Sequence, residues 1–161
     1  MTDIRLLQSA AVGCLLGGAV GDALGLPREG LSPARAKQLF QQPDRHRLLL
    51  GRGMFSDDTE HACFVAEALL RSHGDADRFE RSVAWSLRRC ILCLPAGTGA
   101  ATLRACLKLC LGLPASLSGV DSAGNGPAMR SALLGVLFGD DRQRLRDYVR
   151  RSTQITHRNE R

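Results

Sequence analysis

Apolar residues recur along this chain with the spacing of helices. Leu103, Cys106, Leu107, Cys110 and Leu111 fall at i, i+3, i+4, i+7 and i+8, and Met129, Ala132, Leu133, Val136 and Leu137 do the same. Ala62, Val65, Ala66 and Leu69 repeat the first four steps. Such spacing lays apolar groups along one stripe of a 3.6-residue turn. No run alternates apolar and polar residues as a half-buried strand would, so the pattern predicts an all-α fold.

Punctuation divides the helices. Gly25-Leu26-Pro27 ends the first, and Ser32-Pro33 reads as an N-cap with proline in the first helical position. His73-Gly74-Asp75 separates the third from the fourth, and Pro95-Ala-Gly97-Thr-Gly99 the fourth from the fifth. A Gly/Ser/Pro loop runs from Gly112 to Gly126, and Gly139-Asp140-Asp141 starts the last helix. Loops as long as 112–126 in compact domains are often functional. No low-complexity linker or clear repeat interrupts residues 1–161, which predicts one domain.

The first helix carries Gly13, Gly17, Gly21 and Gly25 at every fourth position. Each interior glycine costs a helix roughly 1 kcal/mol relative to alanine. The edge therefore predicts close approach of another helix or backbone. Asp22 lies beside it and reads as a cap or a buried pairing partner ahead of a metal ligand.

Composition narrows the core and the partners. Of the 161 residues, 44% are hydrophobic but only 4% aromatic, so the core is Leu, Ala, Val and Cys. The net charge is +6, and the basic residues are arginines apart from Lys37 and Lys108. The Arg-rich stretch from Asp140 to Arg161 lacks interleaved aromatics, which argues against a nucleic-acid partner and for a solvated helix face. The start is not a secretory signal, and Asp22 interrupts the first apolar stretch before it reaches the roughly 18 residues of a membrane span. A cytoplasmic protein with reduced thiols and no membrane partner is the expectation. Cys90-x₂-Cys93 and Cys106-x₃-Cys110 have spacings that invite a zinc reading, yet the second pair sits on an apolar stripe. Buried small hydrophobes explain them better.

Three segments carry candidate chemistry. In Gly51-Arg-Gly53-Met-Phe-Ser56-Asp57-Asp58-Thr59, Ser56 precedes an amphipathic helix with two acids in its first turn. Taken alone this is an N-cap with acids complementing the helix dipole. The other reading is that Ser56, Asp57 and Asp58 present hard oxygen ligands, enough for part of a magnesium shell of about six oxygens. Gly124-Asn125-Gly126-Pro127-Ala128-Met129-Arg130 reads either as a turn and helix start or as an anion site at free amides. Glu29, in the Pro-constrained loop after the glycine helix, reads as solvated, and His157 in Thr156-His157 as inert.

Order and spacing change this. Gly13-Cys-Leu-Leu-Gly17-Gly-Ala-Val-Gly21-Asp22-Ala-Leu-Gly25-Leu-Pro27-Arg-Glu29, then Ser56-Asp57-Asp58-Thr59, then Gly124–Arg130, then Thr156-His157, resembles the ADP-ribosylglycohydrolase family, which includes the dinitrogenase reductase-activating glycohydrolases. The resemblance extends over essentially the whole chain. It implies an all-α fold and a binuclear magnesium site, with Ser56 (in place of the usual Thr), Asp57 and Asp58 as ligands. It implies that Glu29 is the acid of a mobile loop near the metals. Gly124, Asn125, Gly126 and Met129 would line the pocket for ADP-ribose, with His157 near the ribose or adenosine end.

Family members run to about twice this length and bring further ligands in a distal Asp-x-Asp-Thr/Ser motif, which has no match here. After Asp147 the only acidic side chain is Glu160. The chain is thus expected to be the N-terminal half of such a domain, with exposed apolar surface and a second chain needed to complete it. Two readings follow. One is a magnesium-dependent hydrolase cleaving ADP-ribose from a protein acceptor, inactivated by truncation. The alternative is a non-catalytic module that binds ADP-ribose.

Overall fold

The computed structural model describes residues 4–42, 44–48, 50–92 and 98–159. Among them the chain forms helices α1 (Ile4–Gly25), α2 (Pro33–Leu39), α3 (Asp57–Ser72), α4 (Ala76–Ile91), α5 (Ala100–Cys110), α6 (Ala115–Ser118), α7 (Ala132–Phe138) and α8 (Arg142–Gln154). Short 3₁₀ turns occupy Leu26–Arg28 and Ala128–Arg130. The described residues contain no strand, as the all-α reading expected; Val120 and His157 form one isolated parallel bridge.

Local chemistry sets the helix ends. The side chains of Ser32, Ser56, Asp75 and Asp141 each accept a backbone N–H of the helix that follows. His73 closes α3 in the left-handed conformation at φ 50°, and Gly74 follows at φ 89°. That tight reversal brings α4 back along α3, and the two pack against each other over their length. Tyr148 of α8 donates to the Gly74 carbonyl at 3.0 Å and stacks its ring on Phe79 and Phe138. Val65, Ala68, Phe79, Val83, Leu87, Leu134 and Ile155 complete the core.

Three expectations need correction. The face of α5 that enters the core is Thr102, Ala105, Cys106 and Leu109, whereas Leu103, Leu107 and Leu111 are exposed. Both sets have helical spacing, and α5 is apolar around most of its circumference, so periodicity had no basis for choosing between them. The stretch from Met129 to Leu137 is not one helix: Ser131 separates the 3₁₀ turn from α7. The 112–126 loop is also less open than its composition suggests. It contains α6, and Ser118 Oγ donates to the Ile155 carbonyl at 2.8 Å while Asn159 donates to Asp121 at 2.8 Å. The predicted break at Pro95-Ala-Gly97 lies outside the described residues.

The glycine edge of α1 is the largest departure. α1 packs on α3 and α7. A Cβ built on Gly13, Gly17, Gly21 or Gly25 would meet nothing within 4 Å among the described residues. The edge faces outward, together with exposed Ile4, Leu6, Val12, Leu16 and Val20. Nothing in the described chain uses the closeness these glycines permit. Ile4–Arg28 is also long and apolar enough to cross a membrane, with a mean hydropathy of 1.5, despite Asp22. Asp22 nevertheless ties this helix to the bundle.

Candidate functional site

Asp22 reaches from α1 to the start of α3 and caps it from outside. Its Oδ2 accepts from the Ser56 amide at 2.7 Å, the Thr59 amide at 3.2 Å and the Thr59 hydroxyl at 2.6 Å, and its Oδ1 accepts from Ser56 Oγ at 2.9 Å. Burial pushes the Asp22 carboxyl up, but these bonds from Thr59 and Ser56 outweigh it and hold the group below its ordinary value. Ser56 Oγ also accepts from the Asp58 amide at 3.3 Å, so the capping reading of Ser56 holds geometrically. With one proton and two acceptor lone pairs, the hydroxyl keeps one lone pair for a further partner.

The neighbouring acids are differently placed. Asp57 is 4% exposed, and its carboxyl is raised to about 6 by burial, then by the negative charges of Asp58, Glu29 and Asp22. Asp58 is raised by partial desolvation and by Asp22. Asp22, Glu29, Ser56 and Asp58 line one cleft of about 430 Å³, with Asp57 buried beside it. Arg28 lines the same cleft and donates to the carbonyls of Leu24 and Gln42, with no ion pair to these acids. Among the described residues no arginine or lysine forms an ion pair with Glu29, Asp57 or Asp58. No three His, Cys, Asp or Glu side chains there converge closely enough to enclose a metal ion by themselves.

A second, tighter cleft of about 230 Å³ shares Gly21, Asp22 and Asp58 with the first and adds Gly18, Thr59 and Met129. Met129 is thus brought to the acids. Gly124 and Gly126 are instead brought to His157: a Cβ on Gly124 would lie 3.2 Å from His157 Nε2, and one on Gly126 3.1 Å from His157 Cε1. Those distances are tighter than ordinary packing, so a side chain at either place would have to push the histidine ring aside by a few tenths of an ångström. Asn125 is exposed and its carbonyl accepts from Ala128. The segment therefore enters a three-residue 3₁₀ turn with one amide already bonded, which weakens the helix-terminus anion site expected of it. Neither acidic cleft includes His157.

Arg130 is the feature that patterning missed. It is 1% exposed and binds only neutral oxygens: Nε donates to Ser152 Oγ at 3.0 Å, and Nη2 to the Ser152 carbonyl and Thr156 Oγ1, both at 2.7 Å. Burial without a carboxylate pulls its guanidinium down to about 10. His61, one turn after Asp57 and 2% exposed, is pulled down to about 3 by burial and then by Arg130, so its ring is neutral. Among the described residues nothing bonds to His61 Nδ1 or Arg130 Nη1. A lone Arg among many and a His on an amphipathic helix carried no marker of burial.

The cysteines form no metal cluster among the described residues. Cys106 is buried, but Cys90 and Cys110 are half-buried and Cys63 is exposed, so the small-hydrophobe reading holds fully only for Cys106. Cys93 lies outside the described residues.

Comparison with known proteins bears on both halves of this arrangement. A model of the ADP-ribosylglycohydrolase family matches residues 3–161. An uncharacterized protein of Archaeoglobus fulgidus is 34% identical over an alignment of 155 residues that covers 89% of this chain and 48% of that protein. The uncharacterized protein YegU of Escherichia coli is 36% identical over 89 residues, covering 48% of this chain and 27% of its own. A solved structure described as an ADP-ribosylglycohydrolase-related protein complex superposes with a TM-score of 0.59 at 28% identity, covering 97% of this chain and 52% of the other. The chain therefore spans about half the length, or less, of the relatives it matches.

Proposed function

This chain belongs to the ADP-ribosylglycohydrolase family, and from that premise we propose that it supplies one side of a magnesium-dependent site that hydrolyses the bond between ADP-ribose and a protein side chain. The observation that carries the reading is the group of Glu29, Asp57 and Asp58, which repel one another and lack any cation partner among the described residues. A carboxyl raised to about 6 by burial and then by its acidic neighbours is relieved by a positive charge. The donors are all oxygens, as magnesium prefers, and they are enough for one side of its coordination shell.

Asp57 and Asp58 would hold the metal, with Ser56 contributing its remaining lone pair. Magnesium, when bound, supplies a Lewis acid that orients ribose hydroxyls and stabilises developing charge. Glu29, exposed at the mouth of the cleft, would accept a proton from the attacking water. Met129 would bound the cleft on the substrate side, and Gly124, Asn125, Gly126 and His157 would contact the ADP-ribose moiety. The outward glycine edge of α1 would seat helices from the remainder of the family domain, supplied by further sequence or a second chain.

The test is release of ADP-ribose from a modified protein in magnesium, comparing wild type with Asp57→Ala/Asp58→Ala. Activity that survives the double substitution sinks the metal assignment. A second reading, a non-catalytic ADP-ribose-binding module, is favoured by one observation: the described carboxylates do not enclose an ion unaided. Calorimetry with ADP-ribose separates the two. Binding independent of magnesium and without turnover selects the module.

A further inference from the structure

Thr156 Oγ1 stands between Arg130 and His157. It accepts from Arg130 Nη2 at 2.7 Å and lies 2.9 Å from His157 Nδ1. A guanidinium only donates, so the direction of the first contact is set. The hydroxyl's own proton has two places to go: His157 Nδ1, or the Thr153 carbonyl at 3.5 Å. That carbonyl already accepts the backbone amides of Thr156 at 3.0 Å and His157 at 2.8 Å, which fill its two lone pairs. The proton therefore goes to His157 Nδ1. Burial and then the Arg130 charge hold His157 below its ordinary value, so the ring is neutral at pH 7. A neutral imidazole that accepts at Nδ1 carries its proton on Nε2.

We propose that Arg130 is a positioning residue: acting through the Thr156 hydroxyl, it locks His157 in the Nε2–H tautomer and makes it a hydrogen-bond donor toward an oxygen of a ligand at the Gly124-Asn125-Gly126 loop. The surroundings fit this role. Nε2 lies beside the space that a side chain on Gly124 would fill, and the glycine at 126 lets the ring edge approach the loop. The backbone around His157 is held independently: the His157 amide donates to the Thr153 carbonyl, the Val120 amide to the Thr156 carbonyl, and the Arg158 amide to the Val120 carbonyl. The side-chain relay thus chooses the tautomer without having to hold the chain in place. It also gives the buried Arg130 a use that its fold-stabilising bonds to Ser152 do not require. The ligand class, a ribose or phosphate oxygen, rests on the ADP-ribose reading above, whereas the tautomer does not.

The experiment is long-range ¹H–¹⁵N correlation on the full, ¹⁵N-labelled chain, with His157→Gln identifying the His157 ring among the four histidines. The expected pattern has Nε2 in the range of a protonated nitrogen and Nδ1 in that of a lone-pair nitrogen. Thr156→Val, nearly isosteric but without the hydroxyl, is expected to collapse this into an averaged pattern, and Thr156→Ser to restore it. Arg130→Lys, which loses the fork, is expected to weaken the preference while circular dichroism shows a folded chain. A wild-type ring protonated on Nδ1, or a pattern unchanged in Thr156→Val, overturns the proposal. Adding ADP-ribose to the wild type is expected to move the Nε2 resonance. A correct tautomer with no response to ADP-ribose upholds the relay and counts against the ADP-ribose reading alone.

Discussion

The two charged regions on either side of α3 solve opposite problems. At its start, Glu29, Asp57 and Asp58 gather negative charge that no described side chain neutralises, in a cleft open to solvent. One turn along, beside His61, Arg130 buries a positive charge almost completely and satisfies most of it with neutral oxygens of Ser152 and Thr156. The acidic region carries charge that no described side chain balances. The basic region is nearly complete in itself: the same bonds that hold Arg130 in the fold also reach His157 through Thr156. The same contrast appears within the acidic region: Asp22 accepts four hydrogen bonds and is lowered, while Asp57, adjacent to the same cap, is raised. Charge alone does not distinguish a structural group from a ligand-seeking one; the number of donors aimed at it does.

If the basic region is architectural, its loss should cost the most. Arg130→Ala removes three hydrogen bonds from buried partners and leaves a cavity, so we expect a loss of about 3–4 kcal/mol in urea denaturation. A loss below about 1 kcal/mol would show that its bonds to Ser152 and Thr156 contribute little to the fold. Asp22→Ala should follow, at about 2 kcal/mol, because the amides and hydroxyls of Ser56 and Thr59 lose their common acceptor. Asp22→Asn keeps one carbonyl acceptor and should recover part of that loss. Equal stability of the three proteins would show that Ser56 alone suffices as the cap.

Much of the fold on either side of α3 was legible because it rests on local chemistry. Ser32 and Ser56 cap the helices they were expected to cap, the last helix starts at Asp141 where Gly139-Asp140-Asp141 was expected to start it, and His73-Gly74-Asp75 makes the expected break between α3 and α4. What failed was the choice of face. On α5, Leu107 and Leu109 are equally apolar, and only contacts from α4 and α6 decide which one is buried. On α1, the glycines were read as a close-packed edge, yet their Cβ directions meet nothing among the described residues. The site divided in the same way. Ser56, Asp57, Asp58 and Glu29 were found by residue type and order, and geometry brings Glu29, Ser56 and Asp58 to one cleft. Arg130 was quoted only as the end of a motif. Its burial depends on Ser152 and Thr156, 22 and 26 residues away, and no local pattern reports such a pairing.

The smallest effect should be the most diagnostic, because its sign is unusual. The Asp57 carboxyl sits at about 6 in the folded chain and at its ordinary 3.8 when unfolded. Below about pH 3 both states hold the proton and nothing is lost. As pH rises toward 6 the unfolded chain releases its proton first, so stability falls through that window and stays lower above it. Asp22, with a lowered carboxyl, works in the other direction and loses its contribution as pH falls. Asp57→Asn removes the first effect and keeps the second. In the absence of divalent cations it is expected to gain stability at pH 7 and none at about pH 2.5, where both states of the wild type hold the proton, read from urea midpoints at the two values. Magnesium at tenfold its dissociation constant should stabilise the wild type by about 1.4 kcal/mol at pH 7 and leave Asp57→Asn unmoved. A wild type that ignores magnesium while Asp57→Asn still gains stability would keep Asp57 as a destabilised carboxylate and remove the cation from the account of why it is there.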